Sequence, residues 1–197
     1  MALLIDWGGV LTTSVFDSFD AFSLREGLGE RAVRRAFLER PEATQALVDL
    51  ECGRIGIPVF EARLAEVLKV APDGLARRLM ADVRPDTAMR DAVRAFHDQG
   101  IRTVLVSNSW GREDYDADDL FDEIVLSGDL GIRKPDPRIY AEAVERAGVP
   151  PAQCIFVDDI GGNLKPARAL GMTTIRHVAA ASTVPELKRL LSSADPS

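Results

Sequence analysis

Five short apolar runs recur along the chain, and no other sequence feature limits the fold as strongly. The runs cover residues 3–5, 101–106, 123–126, 154–157 and 173–178. Uninterrupted apolar runs of this length are typical of strands that are buried on both faces, as in a parallel sheet. Between the later runs, apolar residues recur with helical spacing. Strands that alternate with helices predict an α/β fold, here a Rossmann-like doubly wound parallel sheet.

The segment that follows the first run has a different pattern. From residue 14 onward it contains helical spacings, such as Phe60, Leu64 and Leu68, but no convincing strand. We therefore expect an all-helical insertion at residues 14–84, placed where it covers the end of the first strand. Residues 1–13 and 85–197 then form the α/β core domain.

The composition is that of an ordinary globular domain with an excess of acidic residues. The chain has 197 residues, with 31 Asp and Glu against 24 Lys and Arg, so its net charge is −7. Nucleic acids and anionic membranes attract basic surfaces, so neither is an expected partner. The N-terminus lacks the basic region of a signal peptide, and two cysteines are too few for a disulfide framework. We therefore expect a cytoplasmic protein, and the sequence leaves its oligomeric state open.

Polar residues follow four of the apolar runs or the loops after them. These residues are Asp6, Ser107, Asn108, Lys134, Asp158 and Asp159. Taken singly, such residues commonly cap the next helix. In open parallel sheets, however, ligands bind beyond the carboxyl ends of the strands, where all four segments meet. The set therefore predicts one functional site at this edge of the sheet.

The residue types at this edge suit phosphoryl transfer. Several carboxylates at one site need a counter-charge, which Mg²⁺ supplies as a hard, oxygen-seeking cation. The chain has only 4 lysines against 20 arginines, so Lys134 is an unusual choice, and its compact charge suits a phosphate or a carboxylate. Ser107 adds a hydroxyl donor. Together these are the parts of a reaction through an aspartyl-phosphate. His97 and His177 lack metal-ligand spacing, and we expect both to be structural.

Four motifs resemble those of the haloacid dehalogenase superfamily. They read LLIDWGGVLT at residues 3–12, VLVSNSWG at 104–111, GIRKPDPRIY at 131–140 and FVDDIGGNLKPARALGM at 156–172. The helical insertion is similar to the small helical cap of that superfamily. The resemblance implies a Mg²⁺-dependent phosphatase that acts on a small phosphorylated metabolite.

The resemblance also implies a role for each polar position. Asp6 resembles the nucleophile and a metal ligand, Ser107 the phosphate-binding hydroxyl, Lys134 the catalytic lysine, and Asp159 the acidic metal ligand. Asp158 would support the metal's water shell, and Asn108 and Asn163 are further candidates for contacts in the site.

One position departs from the superfamily pattern. Most phosphatases that the chain resembles carry a second aspartate two residues after the nucleophile, as a general acid and base, whereas this chain has Gly8. In the superfamily pattern the same position also binds the metal through its backbone carbonyl, and a glycine keeps that carbonyl. The metal ligands are therefore expected to be Asp6, Gly8 and Asp159, while a catalytic contribution of about 10²–10⁴-fold is lost.

Two alternatives remain open at this point. A metal-free 2-haloacid dehalogenase also uses an aspartate nucleophile and also lacks the second acid, although the pair Asp158 and Asp159 argues against it. A non-catalytic, phosphate-binding regulatory protein on the same fold is the other. The aromatic residues Trp7, Phe16, Phe19 and Phe22 near the start of the cap could line a pocket, but we expect most of them to belong to the cap core.

Overall fold

The structure is a computed structural model that describes residues 1–110, 115 and 119–192. Gly111 of the second motif and residues 193–197 of the predicted core domain lie outside these described residues. The strands are β1 Ala2–Ile5, β2 Arg102–Ser107, β3 Glu123–Leu126, β4 Cys154–Asp158 and β5 Thr173–Arg176. The helices are α1 Val15–Arg25, α2 Ala32–Glu39, α3 Pro41–Glu51, α4 Ile57–Leu68, α5 Leu75–Leu79, α6 Thr87–Asp98, α7 Ser127–Leu130, α8 Pro137–Ala147, α9 Gly161–Ala169 and α10 Ala180–Ser192.

All five strands pair in parallel, in the order β3-β2-β1-β4-β5. Successive side chains of a strand point to opposite faces, so the apolar runs supply two cores. On one face Leu3 and Ile5 pack with α6 and α10, and on the other Ala2 and Leu4 pack with α8 and α9. The predicted doubly wound α/β fold is thus confirmed, because the strands are buried on both faces.

The five helices α1 to α5 lie between β1 and α6, and they carry a separate apolar cluster around Phe22, Phe60 and Leu64. An antiparallel bridge between Thr12 and Pro85 joins the two chain segments that lead into and out of this helical cap. The predicted helical cap after the first strand is therefore present. The division into domains at residues 14 and 84 stays a prediction.

The strand register brings the polar positions to one edge of the sheet. Ile5 pairs with Leu105 of β2 and with Val157 of β4, so Asp6, which follows Ile5, lies close to the carboxyl ends of both neighbouring strands. The Asp6 amide still donates to the Val157 carbonyl at 3.0 Å. Within the described residues, no helix is long and apolar enough to cross a membrane.

The two histidines lie in structural hydrogen bonds. His97 Nδ1 is 3.0 Å from Thr103 Oγ1, and His177 Nδ1 is 3.0 Å from Thr183 Oγ1. His97 therefore ties α6 to the start of β2, and His177 ties the segment after β5 to α10.

Candidate active site

Lys134 lies at the centre of a buried charge cluster at the carboxyl edge of the sheet. Its Nζ is 2.7 Å from Asp6 Oδ1 and 2.7 Å from Asp158 Oδ2. The lysine side chain is 1% exposed and that of Asp158 is fully buried. Asp6 extends from the end of β1 and Asp158 is the last residue of β4, while Lys134 comes from the loop before α8. The fold thus joins three of the predicted positions from distant parts of the chain.

Two asparagines hold this cluster in place. The Asn108 side chain accepts from the Lys134 backbone amide at 2.8 Å and donates to the Lys134 carbonyl at 3.1 Å. Asn163 Nδ2 donates to both Asp158 oxygens, at 3.1 and 3.0 Å. The Ile160 amide adds a third donor group to Asp158, at 2.8 Å. Asn108 therefore fixes the backbone of Lys134, and Asn163 fixes the carboxylate of Asp158.

Asp159 differs from its neighbour because one of its oxygens is unpartnered. Among the described residues, Asp159 Oδ1 is buried without a hydrogen-bond partner. Gly9 allows this placement, because a Cβ at Gly9 would lie 2.5 Å from Asp159 Oδ2. Oxygen atoms of Asp6, Asp158 and Asp159 lie within 4.8 Å of one another. Lys134 supplies one positive charge beside these three carboxyl groups. Three carboxylates, one ammonium and an unpartnered buried oxygen fit a divalent cation, since buried carboxylates are otherwise paired.

Burial and charge shift the acid–base properties of the cluster. Burial raises the pKa of Asp6 to about 7, against the opposing charge of Lys134 and with the help of Asp158. Burial and the charge of Asp158 raise the pKa of Asp159 to about 6. Burial pulls the pKa of Lys134 down, but the charges of Asp6 and Asp158 outweigh it and hold that pKa above its ordinary value. The lysine thus remains a cation. A bound divalent metal would favour the ionised form of the two carboxyl groups.

Ser107 and Gly8 complete the set of predicted positions. Ser107 is buried at the end of β2, and its Oγ accepts from the Tyr115 hydroxyl at 3.0 Å. Gly8 follows Asp6 by two residues and borders the same cavity as Asp6, Ser107 and Asp159. All the predicted site positions therefore gather at one edge of the sheet.

A cavity of about 430 Å³ lies between this cluster and the cap. Its polar end contains the predicted site residues, and its other walls come from the cap and from the loops of the core. Trp7, Phe16 and Phe19 all border it, although Phe19 is also part of the buried cap core. Phe22 is buried in the cap core and does not border the cavity, so the expectation that most of the four belong to that core holds only for Phe19 and Phe22.

Four further residues lie at the site: Trp110 and Arg133 fall within the second and third motifs, whereas Glu51 and Tyr115 had no signal in the sequence that pointed to it. Glu51 at the end of α3 pairs with Arg133, with the Arg133 Nε 2.8 Å from Glu51 Oε2, and the Trp110 indole also hydrogen-bonds Glu51. Burial raises the pKa of Glu51, against the opposing charge of Arg133. Tyr115 stacks edge-on against Trp7 with 5.2 Å between ring centroids. Each of these contacts joins residues far apart in sequence, which no local pattern predicts.

Comparison with known proteins identifies the family. The family model of haloacid dehalogenase-like hydrolases matches residues 1–171. Bifunctional epoxide hydrolase 2 of Rattus norvegicus is 34% identical over 119 residues, which are 55% of this chain and 21% of that protein. The sesquiterpene phosphatase astK of Aspergillus oryzae is 31% identical over 121 residues, 58% of this chain and 62% of that protein. The chain thus spans about a fifth of the length of the rat protein.

Solved structures show the same fold. An enzyme of this family from Bacteroides thetaiotaomicron, in complex with magnesium and inorganic phosphate, aligns with a TM-score of 0.66 at 24% identity, over 90% of this chain and 94% of that one. The L-2-haloacid dehalogenase of Xanthobacter autotrophicus aligns with a TM-score of 0.65 at 20% identity, over 99% and 84% of the two chains. With its motifs, its fold and a family match over most of its length, the chain belongs to the haloacid dehalogenase-like hydrolases.

Proposed function

We propose that the protein is a Mg²⁺-dependent phosphatase that hydrolyses a small phosphorylated metabolite through an aspartyl-phosphate on Asp6. The observation that supports this most is the unpartnered, buried oxygen of Asp159 beside the Asp6–Lys134 pair. The three carboxylates would repel a dianionic phosphate, and Lys134 offsets only one of their charges. A bound divalent cation would add the positive charge that a phosphate needs in order to bind here, so the acidic cluster supports both a metal and a phosphate substrate.

Asp6, Gly8 through its carbonyl, and Asp159 are the residues that would hold the ion. When bound, Mg²⁺ supplies Lewis-acid charge that offsets the charge of the phosphate and keeps Asp6 and Asp159 ionised. Asp158 is less suited as a ligand, because Lys134, Asn163 and the Ile160 amide already donate to it. Its role is to hold Lys134 in place.

In the proposed reaction an oxygen of Asp6 attacks phosphorus, and the bond from phosphorus to the ester oxygen breaks. The leaving alkoxide takes one proton from solvent, since Gly8 carries no side-chain acid, and the water that attacks in the next step returns one proton to solvent. A water molecule then attacks phosphorus, the acyl-phosphate bond breaks, and Asp6 and inorganic phosphate are released. Lys134 stabilises charge on the transferring group, and the Ser107 hydroxyl donates to a phosphate oxygen while it accepts from Tyr115.

The relatives support a phosphatase because the Aspergillus oryzae protein carries that name, and because the Bacteroides thetaiotaomicron structure holds magnesium and inorganic phosphate. A cytoplasmic location is also part of the proposal. Its support is that Cys52 and Cys154 are both buried and unpaired, as in proteins of reducing compartments.

Hydrolysis of p-nitrophenyl phosphate, with Mg²⁺ and with a chelator in its place, tests the proposal. We expect turnover that requires Mg²⁺ and that Asp6→Asn abolishes, because an amide is not a nucleophile here. Asp73→Asn, at an exposed position of the cap, is the matched control and should keep full activity.

The same preparation tests the alternative reaction. Chloride release from a 2-chloro acid without metal would overturn the phosphatase proposal in favour of a dehalogenase. Binding of phosphate with no turnover of any ester would leave a non-catalytic, phosphate-binding protein.

A further inference from the structure

The half of the cavity that faces the cap is apolar. Its walls come from three cap helices, from the segment after α5 and from the loop after β2, through the side chains of Phe16, Phe19, Phe37, Leu47, Met80 and Trp110. Several of these rings pack on one another, such as Phe19 and Trp110 with stacked rings 6.1 Å apart. The packed rings give this half of the cavity a fixed shape, opposite the charged cluster.

Each charged side chain in this half contacts protein atoms. Glu51 Oε2 lies 2.8 Å from Arg133 Nε in an ion pair, although among the described residues this oxygen accepts no hydrogen bond of good geometry. Arg84 Nη1 donates to two carbonyls of its own segment at 2.7 and 2.9 Å. Arg90 donates to a carbonyl at 3.2 Å, and its guanidinium lies 4.7 Å from the centre of the Trp7 ring. A leaving group rich in hydroxyls would have to compete with these contacts, whereas a hydrocarbon would not.

We infer that the substrate is a phosphate monoester of an apolar alcohol, whose hydrocarbon part occupies the cap half of the cavity while its phosphate meets Asp6 and Lys134. This inference rests on the proposed phosphatase function and narrows it to a substrate class. The volume of about 430 Å³ lies within the range of cavities that bury a small-molecule ligand. The proposed substrate class thus differs from sugar phosphates in its leaving group, which is an apolar alcohol and not a polyol.

A homologous series of n-alkyl phosphates, from ethyl to octyl, tests the inference. The leaving oxygen is the same primary alkoxide throughout, so only the apolar surface changes along the series. Burial of each added methylene predicts a rise of about fourfold in kcat/KM until the cavity is filled. Glucose 6-phosphate, which is larger than butyl phosphate but polar, should be hydrolysed less efficiently than butyl phosphate.

A pair of variants on one helix localises the effect. Leu47 and Val48 are adjacent in α3 and both half-buried, but only Leu47 borders the cavity. Leu47→Asn should reduce the gain in kcat/KM from ethyl to octyl phosphate at least about tenfold, as expected when apolar contact is replaced by an amide. Val48→Asn should keep the gain of the unmodified protein.

A second pair covers the case in which Leu47→Asn does not fold. Phe16 borders the cavity and is 38% exposed, while Ile57 lies away from it and is 39% exposed. Phe16→Ser should flatten the dependence on chain length, and Ile57→Ser should not.

Calorimetric binding of alkylphosphonates, which are not hydrolysed, separates the two proposals. If no ester is hydrolysed but affinity for phosphonates rises with chain length, the phosphatase proposal fails and the apolar subsite stands. If esters are hydrolysed but neither kcat/KM nor phosphonate affinity rises with chain length, the apolar subsite is overturned and the phosphatase stands. A preference for glucose 6-phosphate over butyl phosphate would also overturn it.

Discussion

Lys134 places its ammonium between two carboxylates, 2.7 Å from an oxygen of each. The side chain is buried, so a planar guanidinium has no room to reproduce both contacts. Lys134→Arg keeps the charge, yet we expect kcat to fall by about 10²–10³-fold, as when one electrostatic donor is removed from a site. Steady-state kinetics on p-nitrophenyl phosphate measure the loss.

The control for this substitution is Lys165→Arg, at an exposed position of α9, which should leave kcat unchanged. Near wild-type turnover of Lys134→Arg would remove Lys134 from the catalytic site.

Gly8 stands where a general acid is expected from the resemblance. An added Cβ at Gly8 would lie 3.0 Å from Val15 Cγ2, so a larger side chain needs Val15 to give way. The double variant Gly8→Asp with Val15→Ala restores the carboxyl group that the resemblance implies at this position and makes room for its Cβ. Alkyl phosphates have a poor leaving group, an alkoxide, so we expect their kcat to rise by about 10²-fold or more. p-Nitrophenyl phosphate has a good leaving group, the nitrophenolate, and its kcat should rise much less.

The single variant Val15→Ala is the reference for this comparison. Equal gains for both kinds of ester, or no gain for either, would show that the missing carboxyl does not limit the reaction.

The cap and the core approach each other closely where the loop after α3 meets α7. Gly53 has a φ of +67°, and an added Cβ would lie 2.6 Å from the Gly128 carbonyl oxygen. The Ser127 hydroxyl donates to the Glu51 carbonyl at the same contact. Since Glu51 also pairs with Arg133, next to Lys134, this contact connects the cap to the catalytic loop.

Gly53→Ala should therefore lower the free energy of unfolding by about 1–3 kcal/mol and also lower kcat. Gly27 is the matched control, because its φ is +68° and nothing lies within 4 Å of an added Cβ. Gly27→Ala should cost only the backbone strain, about 1–2 kcal/mol, and leave kcat unchanged. Urea unfolding and steady-state kinetics provide both readouts. If the two variants behave alike, the close approach to Gly128 has no functional role.

At this scale the sequence predicted the strands and several of the helices, but not how the elements meet. The apolar runs predicted all five strands, and the helical spacing between the later runs predicted helices such as α8, because the burial of one face repeats with the period of the helix. The cap–core contact through Glu51 and Gly53 was not predicted. It depends on how closely two segments approach in space, which local periodicity does not encode.

Acid stability of the whole molecule depends in part on His177, which joins the end of β5 to α10. Burial lowers the pKa of this ring, while Asp86 partly opposes the shift. The unfolded chain therefore binds a proton more readily than the folded one. His177 contributes stability that is lost as the pH falls below about 6.5, the ordinary histidine value.

The difference in unfolding free energy between the unmodified protein and His177→Gln should thus shrink from pH 7.5 to pH 5, because only the unmodified protein loses the histidine contribution, while the raised pKa values of Asp6 and Asp159 act in both proteins. Other titrating groups are common to both proteins, so the difference between the two pH profiles isolates His177. Identical profiles from urea unfolding would contradict the assignment.

The sequence by itself determined the α/β class, the helical cap after β1 and the family, because these depend on local periodicity and on motifs at strand ends. It also determined which residues gather at the site, since parallel strands end at one edge. Only the tertiary structure decided the strand order and the different surroundings of Asp158 and Asp159. It also decided the apolar cavity under the cap. These features arise from packing between segments distant in sequence, where burial leaves one carboxylate fully hydrogen-bonded and its neighbour with an unpartnered oxygen.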